Sequence, residues 1–226
     1  MSTDRRCTPQ SLVQWIKNIT IALVEHGLVD GQNFPLLRRL DKTTIVSFPN
    51  SDGARALSQG SYRDLYELQL AEDAYNLRML DGAIIQLTYE FLGNALLSHR
   101  LAFLPSPDLI DYQNNDDLYV GALPFADLVG SHALPAPLRF DYDARKGVPQ
   151  DLVHPASHLT IGQYQHCRVP VRGPINPAVF LDFVVRHFYT GMELPTISFD
   201  FDFASGFRDS ITETERGILH LSFRGE

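Results

Sequence analysis

Lysine is almost missing from this chain of 226 residues, with only Lys17, Lys42 and Lys146, so that arginine supplies nearly all of its positive charge. Arginine is the side chain suited to two-pronged contacts with phosphate or carboxylate, although a GC-rich coding sequence produces the same bias. Cysteine is equally scarce. Cys7 and Cys167 make neither a disulfide framework nor a cysteine-rich zinc site, and they point to a reducing, cytoplasmic setting. No apolar run reaches the ~18 residues needed to cross a bilayer, and the first residues lack the apolar core of a secretion signal, so no membrane association is expected. The glycines form neither a phosphate-binding Walker loop nor a dinucleotide fingerprint. Net charge is -8, which argues against a general nucleic-acid-coating protein and leaves room for a local basic site.

What is present is a globular composition, 44% hydrophobic and 11% aromatic. Thr8 and Pro9 open a helix whose apolar positions Leu12, Ile16, Ile19 and Leu23 recur at helical spacing, with Gly27 as its stop. Thr44 to Phe48 reads as a strand, and Tyr62 to Leu70 and Tyr75 to Leu80 read as two more. Asp81-Gly82 is a hairpin turn. After it Ile85, Leu87, Tyr89 and Phe91 alternate with Gln86, Thr88 and Glu90, the period of a half-buried strand, and Leu97 to Leu104 returns beside it. A loop-rich excursion runs from about 105 to 137, with one short helix around Phe125 to Val129.

Strands resume at Leu138 to Tyr142, His158 to Ile161 and Cys167 to Val171. Asn176-Pro177 caps a helix running to Tyr189 and ended by Gly191. Further strands are expected around Ile197 to Phe203 and at Leu219 to Phe223, with Leu219 and Leu221 buried and His220 opposite. Thr212 to Arg216 reads as a solvated turn. The sum is a single α+β domain over residues 1–226: a mostly antiparallel sheet with two or more covering helices.

Groups able to hold or hydrolyse a phosphate concentrate between Arg139 and Tyr189. In His154-Pro155-Ala156-Ser157-His158 the proline turns His154 away from helix. The pair can act as acid and base, ligate a metal, or merely bond backbone carbonyls in a turn. Pro155 occupies the position where a zinc protease carries glutamate. Arg139, Asp141 and Asp143 share one face of a strand. The carboxylates suit a divalent cation or orient the histidines, and Arg139 with Arg168 suits phosphate, but Arg139 and Asp141 would equally neutralise each other on a wet face. Asp200 and Asp202 repeat the carboxylate pair, with Ala204 where metal-dependent nucleases place lysine. His166 and Cys167 point to opposite faces of a strand, which leaves the thiol without a base and assigns it to the core.

The segments RFDYD, HPASHLTIG, CRVPV and NPAVFLDFVVRHFY, together with DGAIIQLTYEFL and HRLAFLPSP upstream, resemble the bacterial proteins grouped as domain of unknown function 2290. The resemblance runs from about Tyr75 to the C-terminus. It implies a setting, a helicase partner in a two-gene anti-phage defence system, and it carries over no catalytic residues. Three functions stay open. The first is a nuclease-like effector that meets nucleic acid through the helicase complex. In it His154 and His158 are catalytic or metal-ligating, Asp141 and Asp143 hold a metal or orient the histidines, and Arg139 and Arg168 bind phosphate. The second is a non-catalytic adaptor of the helicase. The third is a ribonuclease toxin restrained by its partner, since the order from Arg139 to His158 is faintly similar to small toxins of toxin-antitoxin pairs.

Overall fold

The computed structural model describes residues 7–51, 61–108, 136–164, 166–189 and 207–223. Helix α1 (Pro9–Glu25) starts where the Thr8 hydroxyl accepts the Ser11 amide at 3.2 Å, with Pro9 as its first residue. Its buried stripe is Leu12, Trp15, Ile16, Ile19 and Leu23, and Gly27, at φ 68°, turns the chain out of it. There follow β1 (Val29–Gln32), β2 (Leu36–Leu40), β3 (Thr43–Ser47), α2 (Tyr62–Ala71), β4 (Leu77–Met79), β5 (Ile84–Leu92) and β6 (Ala95–Leu104). Then come β7 (Leu138–Asp143), β8 (Ser157–Ile161), β9 (Val169–Pro170), α3 (Pro177–Phe188) and the single-turn α4 (Glu213–Arg216). The fold is α+β. Among the described residues every strand pairing is antiparallel, in the order β1-β4-β5-β6-β7-β8-β9. The far half of β5 carries β3 on the same edge as β4, and β2 pairs with β3.

One face of this sheet is the main core. Ile85, Leu87, Tyr89 and Phe91 of β5 project there with Leu101 and Phe103 of β6, Phe140 of β7 and Leu159 of β8, and α1 and α3 cover them. Phe140 meets Phe180 of α3 edge-on at 6.0 Å. Burial of each such side chain is worth ~1.5–3 kcal/mol. Three polar groups fasten α3 to the sheet. The Tyr89 hydroxyl donates to the Ile175 carbonyl at 3.1 Å, the Ile175 amide donates to His99 Nε2 at 3.0 Å, and the Tyr189 hydroxyl donates to the buried Asp81 carboxylate at 3.0 Å.

The opposite face is covered only in part. Helix α2 packs over Ile84, Ala102 and Leu104 through Tyr66, with Tyr75 beside it. Beneath it Gln86 Nε2 donates to Gln69 Oε1 and to the Ala74 carbonyl, both at 2.6 Å. Beyond α2 this face stays polar and forms the wall of a cleft.

Several expectations change. Tyr62 to Leu70 is helix, not strand: Ser61 and Asp64 form a reciprocal cap that starts α2. The segment from Cys167 to Val171 pairs as a strand only at Val169–Pro170, and Cys167 is half-buried rather than a core residue. Leu219 to Phe223 is not a strand. Leu221 alone bridges to Val171, and Leu219 is 85% exposed. Thr212 caps a helical turn where a plain turn was expected. Strands β1 and β2 were not anticipated. The Phe125 to Val129 helix, most of the excursion, the Ile197 to Phe203 strand with Asp200 and Asp202, and Gly191 lie outside the described residues.

Candidate functional site

Strand register builds the site. Arg100 on β6 stands opposite Asp141 on β7, and Asp141 stands opposite His158 on β8. The neighbouring row places Ser98 opposite both Glu90 and Asp143. Because side chains alternate, Arg139, Asp141 and Asp143 share the face opposite Phe140. They open into a cleft of about 620 Å³ that also takes in His154, His158 and Arg168. All six residues singled out from the sequence therefore line one cavity, although they come from three separate stretches of backbone.

Asp141 is the electrostatic centre. Its Oδ1 accepts from Arg100 Nε at 3.0 Å and its Oδ2 from Arg139 Nε at 2.6 Å. Burial pushes this carboxyl up, but Arg139 and Arg100 outweigh burial and hold it below its ordinary value. Its side chain is only 14% exposed, so it is a shielded anion gripped by two guanidinium groups that are themselves open to the cleft. Asp143 is used in the same way. It accepts from the amide and from the Nη1 of Arg145, each at 2.8 Å, and the other Arg145 Nη bonds Glu90. Both carboxylates expected to hold a cation thus serve arginines. Among the described residues no three histidine, cysteine or acidic side chains gather as a metal-binding group.

The two histidines touch, with ring centroids 4.9 Å apart. The tight turn that begins at Gln150 fixes His154, whose amide bonds the Gln150 carbonyl at 2.7 Å and whose Nδ1 lies 3.1 Å from the Val148 carbonyl. His158 Nδ1 lies 2.9 Å from the Pro155 carbonyl, which makes it the protonated nitrogen of a neutral ring. Its Nε2 faces Asp141 Oδ2 at 3.8 Å. Burial lowers the His158 pKa against the opposing pull of Asp141, and Arg168 pushes it down further. Arg168 is half-buried and, unlike Arg100, Arg139 and Arg145, forms no ion pair with any described residue.

Sequence reasoning passed over Arg100, Arg145 and His99. Arg100 reaches the site only through a pairing with Asp141, 41 residues away in the chain, whereas Arg145 stands two residues from Asp143 and joins it to Glu90, 55 residues away. His99 had a local signal, since alternation puts it on the face of Leu101 and Phe103. It lies between the tilted rings of Tyr89 and Tyr142 with centroids 5.6 and 5.7 Å away, and burial drives its pKa down to about 4. Of the other candidates, His220 is half-buried and its Nδ1 lies 3.0 Å from the Ile218 carbonyl, outside the cleft lining.

Fold and site together define an α+β protein whose sheet is apolar on one face and carries a cleft lined by arginines, histidines and carboxylates on the other. The chain belongs to the family described as "Uncharacterized conserved protein (DUF2290)", whose family model matches residues 28–223. That match begins well before Tyr75 and takes in the whole sheet. No curated protein and no solved structure matches the chain. No helix among the described residues is long and apolar enough to cross a membrane.

Proposed function

We propose that the cleft binds a phosphate group of a nucleic-acid strand, and that the protein is the nuclease-like effector of a bacterial anti-phage defence system, acting with a helicase. The observation that carries this reading is Arg168, a cation without a counter-ion among the described residues, beside two histidines and two guanidinium groups already oriented by Asp141. Pre-oriented arginines suit the equatorial oxygens of a reacting phosphoryl group. In the reaction we propose, His158 takes the proton of the attacking hydroxyl or water, and His154 gives one to the departing oxygen as the P–O bond breaks. The helicase and the defence setting rest on the family resemblance. An average surface as acidic as this one suits docking to a basic protein better than coating DNA.

The adaptor reading has one observation of its own. Both histidine Nδ1 atoms end on carbonyls of their own loop, as in residues that merely fasten a turn. One experiment separates the two. The purified chain, alone and with the neighbouring helicase, is incubated with labelled DNA and RNA, with divalent metal present or chelated. A His154→Ala, His158→Ala double variant runs in parallel, with its Tm measured. Cleavage that disappears in a folded double variant is the expected result. No cleavage in any arm, with a stable helicase complex, replaces the effector with the adaptor. Cleavage of RNA alone, relieved by the partner, identifies a restrained toxin.

A further inference from the structure

The arginines of the cleft are held in different ways. Arg145 commits both terminal nitrogens to carboxylates, Nη1 to Asp143 and Nη2 to Glu90. Arg100 and Arg139 each hydrogen-bond Asp141 through Nε alone. Among the described residues their Nη groups make no hydrogen bond, and the two side chains are 50% and 44% exposed. Both guanidinium groups hang on one shielded carboxylate, so they are neighbours with their unbonded ends open to the cleft. An arginine anchored only at Nε keeps its remaining N–H donors for an oxyanion.

Arg168 stands on the far side of β8. Val169 pairs with Leu159 and packs on the main core, so its neighbour Arg168 comes beside Thr160 and turns to the cleft face. Arg139 stands opposite the same Thr160 on β7. The two arginines therefore flank β8 from either side, two strand spacings or ~10 Å apart at the backbone. A side chain of arginine's length reaching in from each side closes that gap to the distance between neighbouring phosphates of a strand. His158 lies on β8 between them, with Nε2 facing the Asp141 oxygen that holds Arg139.

Resting on the nucleic-acid reading above, we infer that the cleft binds two consecutive phosphates of one strand. The Arg100–Arg139 pair seats the first and Arg168 seats the second, and the nucleoside that joins them passes over β8. The minimal ligand is a dinucleotide carrying two charged phosphates, not a lone phosphate or a mononucleotide. The inference concerns the spacing of these two seats. Contacts further along the cleft would lengthen the footprint without altering it.

The test is fluorescence anisotropy of the full chain with a labelled single-stranded octamer, displaced by unlabelled competitors. These are a nucleoside monophosphate, a nucleoside diphosphate, a 5′-phosphorylated dinucleotide, and that dinucleotide with an uncharged methylphosphonate linkage. We expect the charged dinucleotide to compete at least ~10-fold better than the monophosphate, a gap of about 1.4 kcal/mol. The methylphosphonate form should lose that advantage. Arg168→Ala and Arg139→Ala, each checked for folding by its Tm, should each shrink it to under ~3-fold. A monophosphate or methylphosphonate dinucleotide as strong as the charged dinucleotide leaves one seat and overturns the inference, while the nucleic-acid reading stands. So does an advantage that survives in both variants. A nucleoside diphosphate as strong as the dinucleotide overturns the strand spacing. Failure of the octamer itself to bind removes the nucleic-acid reading, and the inference with it.

Discussion

The two faces of the central sheet use the same strands to opposite ends. Odd-numbered residues of β5 supply Leu87, Tyr89 and Phe91 to a core sealed by α1 and α3, while even-numbered ones supply Gln86, Thr88 and Glu90 to the cleft. The first face holds the molecule together through buried area. The second uses its side chains in ion pairs whose guanidinium groups open to the cleft while the Asp141 and Glu90 carboxylates they hold are shielded. Mutations on the two faces should therefore separate: folding on one, binding on the other.

The largest effect belongs to the sealed face. Phe180→Ala should cost ~3–5 kcal/mol, seen as a lower urea midpoint, because a buried ring leaves a cavity against Phe140. Next comes His99, whose folded pKa of about 4 lies below the ordinary histidine value of 6.5. With a depressed pKa the unfolded chain binds the proton more readily. The stabilisation is complete above pH ~6.5 and is lost as pH falls toward ~4, on the order of 3 kcal/mol in all. Burial shifts His158 the same way, while the Asp81 carboxyl is raised by burial and works against them. Comparing the pH dependence of Tm with that of His99→Gln isolates the His99 share, and equal slopes would remove it.

Tyr189→Phe should cost ~1–3 kcal/mol, since the buried Asp81 loses the hydroxyl that both its oxygens share. Arg168→Ala stands last on the stability scale, within ~0.5 kcal/mol of wild type, because the guanidinium has no ion-pair partner among the described residues. A large drop in Tm for that variant would break the division between the faces.

The alternation in β5 was legible in the sequence because the seven residues from Ile85 to Phe91 keep one period without interruption. So were the capped helices at Thr8 and Asn176. Helix α2 was misread because its tyrosines and leucines fit strand and helix alike, and the decisive cue was the Ser61–Asp64 pair that caps it. The Leu219 to Phe223 alternation is too short to specify a strand against tertiary context, and only Leu221 found a partner. Strands β1 and β2 carry polar or charged residues with no alternation to detect. At the site, Arg139 and Asp141 were legible as neighbours on one strand. Their convergence with His158 and Arg100 depends on register between distant strands, which no local pattern encodes.

The grip of Tyr89 and His99 on Ile175 has a kinetic consequence. Ile175 belongs to the connection between β9 and α3, where amides commonly trade their hydrogens with solvent quickly. Its own N–H points into the sheet and ends on a buried ring. In a deuterium-exchange experiment that amide should persist as long as those of β5, and His99→Ala should release it. The chain leading from Arg168 on the cleft wall to the first turn of α3 thus ends on an anchor buried against the central strands.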